Sequence, residues 1–138
     1  MTFIDDFKRQ QAEVLDLIRE VSDLVQPDRV ISDARIIRHA LSVLAERFRA
    51  LMKTEDETLS ALLLAYHQPQ LRAQAQRGIE ESDRLRNALA DFNERWMTPA
   101  FIQNNPDEFV TDTRELIEAL KGRLKKDSPQ LSLLVERV

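Results

Sequence analysis

Ile37 to Leu64 reads IRHALSVLAERFRALMKTEDETLSALLL, and Phe109 to Val135 reads FVTDTRELIEALKGRLKKDSPQLSLLV. The two stretches align at a constant offset of 72 residues, the separation of Glu55 and Asp127. Leu44 falls on Leu116, Phe48 on Leu120, Met52 on Leu124, Lys53 on Lys125, Leu59 on Leu131, Ser60 on Ser132 and Leu62 on Leu134. In both, apolar residues recur every three or four positions, the spacing of an amphipathic helix. The segments that precede them match more weakly: Val14 with Leu85, Ile18 with Leu89, Val21 with Phe92 and Val25 with Trp96. A duplicated helical hairpin accounts for both matches. It predicts an all-α, up-down-up-down four-helix bundle with pseudo-twofold symmetry, one domain over residues 1–138.

The individual helices follow from the same periodicity. The first is expected from about Ile4 to Val25, with Phe7, Val14, Leu15, Ile18, Val21 and Val25 inward. Pro27 ends it, because proline donates no N–H and disfavours helix in the residue before it. The second begins near Asp28 to Val30 and turns Ile37, Ala40, Leu41, Leu44, Phe48 and Leu51 to the core. From Glu55 to His67 it continues, with an offset suggested by the cluster Leu59, Leu62, Leu63 and Leu64. The third spans roughly Gln70 to Met97, with Leu85, Leu89, Phe92 and Trp96 inward. Thr98 to Asn105 reads as an irregular connection. Asn105-Pro106-Asp107-Glu108 then reads as a capped helix start. The fourth helix carries Phe109, Thr113, Leu116 and Leu120 inward as far as about Lys126, with a bend at Gly122 before a short helix from Pro129 to Arg137.

Composition narrows the function classes. The chain is 43% apolar and 32% charged with a net charge of −4, ordinary for a soluble globular domain. No basic patch interleaved with aromatics appears, so nucleic acid is not an expected partner. Cysteine is absent, which removes thiol catalysis, disulfides and thiolate-bound metals. No apolar run approaches the roughly 18 residues that span a bilayer. The N-terminal MTFIDDFKRQQ lacks the pattern of a signal peptide, so a cytoplasmic protein without membrane contact is expected.

At about 100° per residue, Glu55 projects onto the face of Ile37, Leu44 and Phe48. Asp127 and Arg123 project onto the face of Phe109, Leu116 and Leu120. Gln11 lies one turn above Val14 and Leu15, and Gly78 and Ser82 lie above Leu85. Polar or very small residues thus gather at one level of an apolar bundle, where an ionised group is costly unless paired.

The helix order and these spacings resemble the hemerythrin-like (HHE cation-binding) domains, four-helix bundles that hold a di-iron centre. That family places a His on its first helix, His-xxx-Glu on the second, His-xxx-His on the third and His-xxx-Asp or His-xxx-Glu on the fourth. Gln11 stands at the first His, Leu51-Met-Lys-Thr-Glu55 at the second motif, Gly78-Ile-Glu-Glu-Ser82 at the third and Arg123-Leu-Lys-Lys-Asp127 at the fourth. The stretches KTEDETLSALL and KKDSPQLSLL resemble the family's acidic segments without their Tyr-Pro. The resemblance implies that both iron-bridging carboxylates remain, as Glu55 and Asp127, while all five His positions are otherwise occupied. Leu and Arg do not replace imidazole as iron ligands. The chain's two histidines do not rebuild the set: His39 lies about 200° from the core stripe and His67 at a helix break. No bound metal or other cofactor is therefore expected. Arg123, at i, i+4 spacing from Asp127 and within reach of Glu55 across the bundle, is expected to neutralise the acids in the metal's place. The competing reading has the acids reaching water at the bundle's end.

No Gly-rich loop or Ser–His pair points to phosphate binding or nucleophilic catalysis. Histidine phosphotransfer at His39, beside Arg35 and Arg38, is a further alternative. The charges from Lys121 to Lys126 read as a solvated helix end. Trp96 and Phe92 read as core anchors, and Phe101 and Ile102 as a cover over the bundle end or a contact surface. Val30, Ile31 and Ile36 exceed what one core-facing stripe needs, which suggests a second buried face and a homodimer. The expected function is a non-catalytic, metal-free binding, regulatory or self-associating module. A small-ligand or residual metal site at Gln11, Glu55, Gly78, Ser82, Arg123 and Asp127 is the alternative.

Overall fold

The computed structural model describes the backbone of residues 3–65 and 68–136, and the side chains of 5–61, 65 and 68–125. Among the described residues all regular structure is helical: α1 (Phe3–Leu24), α2 (Ala34–Ala65), α3 (Pro69–Arg95), α4 (Pro99–Asn104) and α5 (Pro106–Glu136). None of these helices is long and apolar enough to cross a membrane.

The expected stripes form the core. Val14, Ile18, Val21 and Val25 are buried against Ile37, Leu41, Leu44 and Phe48, with Leu89 and Phe92 of α3 and Phe109, Leu116 and Leu120 of α5 completing the cluster. α1 packs on α2 and α5, and α3 packs on α2 and α5. The periodicity drives this, because each helix buries one apolar face only by meeting another. The side chains of Leu62, Leu63, Leu64 and Asp127, and all of His67, lie outside the described residues.

Five local features differ from the sequence expectation. α2 starts at Ala34, not near Asp28. Residues 27–33 form turns in which Arg29 and Val30 N–H donate to Gln26 O and Asp33 N–H donates to Arg29 O. That turn buries Val30 completely, so only Ile31 and Ile36 of the supposed second face are exposed. No offset follows Glu55, since α2 runs unbroken for 32 residues. The connection after Trp96 contains α4, started by Pro99 and by the Thr98 hydroxyl accepting from Phe101 N–H at 3.3 Å. α4 buries Ile102, and Gln103 Nε2 donates to Ile31 O at 3.0 Å, tying α4 to the α1–α2 turn.

Asn105 stands directly before α5, its C=O accepting from Phe109 N–H at 3.1 Å, while its side-chain amide donates back to Phe101 O at 3.1 Å and closes α4. Glu108 likewise turns outward to Arg95 at 3.0 Å. Finally, α5 continues through Gly122 and Pro129 as one helix of 31 residues, in place of a bend and a separate final helix. Gly122 carries no positive φ, so nothing in its backbone requires a break there.

Candidate functional site

Arg123 is the most informative side chain in the molecule. It projects from α5 into the interior and is only 1% exposed. Its Nη2 donates to Glu55 Oε1 on α2 at 3.0 Å, to Gly78 O on α3 at 3.0 Å and to Ser82 Oγ at 2.6 Å. That nitrogen has two hydrogens and faces three oxygens, so at least one bond is shared. Ser82 in turn donates its single proton to Gly78 O at 3.0 Å, with Met52 Sδ at 3.4 Å as the other acceptor.

α3 supplies small residues one turn apart at this level, and the arrangement depends on that. A Cβ on Gly78 would stand 3.0 Å from Leu59 Cδ1 and 3.9 Å from Arg123 Nη2. Glycine thus admits Leu59 against the α3 backbone and leaves the Gly78 carbonyl open to the guanidinium. Around the pair the packing is apolar, with Leu51, Met52, Leu59, Leu120 and Leu124 all buried.

Gln11 reaches the same region by another route. Its Nε2 donates to Leu124 O at 3.0 Å, joining α1 to α5 next to Arg123. The structure therefore brings Glu55, Gly78, Ser82 and Arg123 into one network, and places Gln11 on the adjoining backbone. Asp127 is on the helical part of α5, and its side chain lies outside those described.

Burial pushes the Glu55 carboxyl above its ordinary pKa. Arg123 opposes that push, while Asp56 and Glu81 add to it. Over the interval between the unfolded and the raised folded value, the native protein keeps a proton that the unfolded chain has released. Stability from this group therefore falls as pH rises through that interval, and is fully present below it. Glu55→Gln is expected to flatten that decline. Urea unfolding at a series of pH values, run on both proteins, measures it; equal slopes would show that Glu55 does not titrate differently on folding.

The centre does not fit a di-iron site. The cation beside Glu55 is a guanidinium, and the neighbouring residues Gly78 and Ser82 offer no imidazole. Among the described residues no group of three His, Asp or Glu side chains converges as metal ligands do. His39 sits on the exposed face of α2, as its position away from the core stripe requires.

Two polar groups near the core escape a reading of spacing alone. Arg86 on α3 bridges Asp56 on α2 at 2.7 Å and also pairs with Asp83. Trp96, fully buried at the end of α3, donates its indole N–H to Asp112 Oδ2 at 3.1 Å, while Arg95 pairs with the same carboxylate at 2.9 Å. The Asp83–Arg86 spacing of one helical turn is visible in the sequence; the cross-helix partners depend on register. No family model matches the chain, and neither a curated protein nor a solved structure matches it.

Proposed function

We propose that this chain is a non-catalytic, metal-free module with the helix layout of the hemerythrin-like domains, acting by binding at its surface, and first of all by self-association. In this reading α1, α2, α3 and α5 form an up-down bundle, with α4 as a connector. The cross-helix contacts support it. Arg38 meets Asn93 while Met52 meets Ser82, and Arg95 meets Asp112 while Arg123 meets Gly78. Each pair of contacts suits helices that run in opposite senses.

The observation that carries the reading is the guanidinium between Glu55 and the Gly78–Ser82 edge of α3. A buried, hydrogen-bonded cation at that level offsets the Glu55 charge as a metal ion would, and has no open coordination position at which chemistry could occur. Function then falls to the surface, where Ile31, Ile36, Met97 and Phe101 are large apolar residues exposed to solvent. Protein produced in iron-rich medium is expected to hold far less than one iron per chain, with no charge-transfer absorption and a Tm indifferent to a chelator. Stoichiometric iron, or a Tm that drops on chelation, would overturn the metal-free reading. Light scattering at micromolar concentration tests self-association.

A further inference from the structure

α3 and α5 leave two adjoining hollows on the surface between them, of about 350 and 480 Å³, which meet at Ala119. Their floor is made of small residues: Ala88, Ala119 and Gly122 are all exposed there, and Leu85 and Leu116 lie just beneath. Along α3 the lining follows one stripe, Glu81, Arg84, Ala88, Asp91 and Arg95. These positions are spaced by three or four residues, so they share a face of the helix about 21 Å long.

The charges on that stripe are ordered about Ala88. Turned end for end, the stripe sets Arg84 opposite Asp91 and Glu81 opposite Arg95, with Ala88 opposite itself. Every charged position thus meets its opposite in an antiparallel copy, and the smallest side chain occupies the closest approach. α5 strengthens the match, because Asp112 and Glu115 line the hollow beside Asp91, where Arg84 of the other copy would enter. Among the described residues neither Arg84 nor Asp91 has an ion-pair partner within the chain.

We infer that the α3–α5 groove is the contact between two copies of this chain, related by a twofold axis through Ala88. The inference rests on the self-association proposed above and assigns it a face. An isologous contact uses the same patch twice, so each charged pair occurs twice and a single reversal acts twice. It also separates this face from the exposed Ile31 and Ile36 near the start of α2.

The test is sedimentation equilibrium on the full chain at micromolar concentration, with circular dichroism to verify folding. The wild-type protein is expected to reach twice its 16.0 kDa mass. Arg84→Asp and Asp91→Arg, each alone, are expected to raise the dissociation constant by about tenfold or more. The double variant Arg84→Asp/Asp91→Arg restores both pairs and is expected to recover part of the affinity, held below the wild-type value because Asp112 and Glu115 then face a carboxylate. Ala88→Arg, which places bulk and like charge on the axis, is expected to give monomers. A dimer that ignores both single reversals but is broken by Ile36→Asp overturns the α3–α5 face and leaves self-association standing. A wild-type monomer overturns both, whereas a dimer weakened by the single reversals without recovery in the double variant overturns the stated pairing alone.

Discussion

Arg123→Ala is expected to lower the free energy of unfolding by about 3–5 kcal/mol, the usual cost of removing one partner from a buried ion pair. Three effects add. Glu55, 2% exposed, loses the cation that opposes its desolvation. Ser82 Oγ and Gly78 O lose a charge-assisted donor. The volume of the side chain also becomes a void in the interior, beside Glu55, Gly78 and Ser82, which the helices close only in part. Against a total stability of roughly 5–15 kcal/mol for a domain, this leaves little margin. Urea unfolding followed by circular dichroism measures it. The deficit is expected to shrink in acid, where Glu55 takes up a proton and no longer needs a counter-charge. The double variant Arg123→Met/Glu55→Leu provides the control, because replacing both charges with apolar side chains removes the stranded ion. It is expected to recover most of the loss. A deficit below about 1 kcal/mol for Arg123→Ala would mean that water already solvates the pair.

The residues of this network were accessible from the sequence to different degrees, for physical reasons. Burial of Glu55 and Arg123 follows from helical phase, since each falls on a stripe whose other members are apolar. Their mutual contact needs the register between α2 and α5, and the repeat supplies it by placing Glu55 and Asp127 at equivalent positions. Gly78 and Ser82 stand out as small residues at the same level of α3. Met52 as a sulfur acceptor, Arg86 across to Asp56, and Trp96 to Asp112 carry no such signature. Each is one polar residue on an otherwise ordinary helix, and its partner is chosen by a tilt of a few degrees.

Secondary structure divides in the same way. The long stripes of α1, α2, α3 and α5 are legible because many apolar residues vote for one period. α4 is invisible to that test, since six residues hold under two turns; Thr98 and Pro99 were its only marks. The turn over residues 27–33 imitates a helix start with i→i−4 bonds to Val30 and Asp33, yet it exists to bury Val30. Gly122 and Pro129 mislead in the opposite direction. Helix-breaking propensity is a local cost of about 1 to 3 kcal/mol, and packing of a long amphipathic face overrides it.

Trp96→Ala is expected to cost about 3–5 kcal/mol as well, at the other end of α3 from the Arg123 contacts. Trp96 is fully buried, with its ring centroid 5.2 Å from Phe109 in an edge-on contact and 5.0 Å from Phe101. It closes α3, since its N–H donates to Phe92 O, and it holds α4 and α5 together through those two rings. Truncation therefore opens a cavity where three helices meet, and the short α4 has little else to keep it in place beyond Ile102 and the Gln103 bond. Trp96→Phe separates the contributions, because it keeps most of the packing and removes the hydrogen bond to Asp112. That variant is expected to lose about 1–2 kcal/mol, the sum of one hydrogen bond and a modest loss of volume. Asp112 keeps Arg95 as a partner in either case, so no charge is left without a counter-ion, unlike at Arg123. Hydrogen exchange gives the sharper readout: amides of α4 and the first turn of α5 should exchange faster in Trp96→Ala at unchanged protection of α1. Uniform loss of protection through all helices would show instead that this end does not unfold separately from the rest.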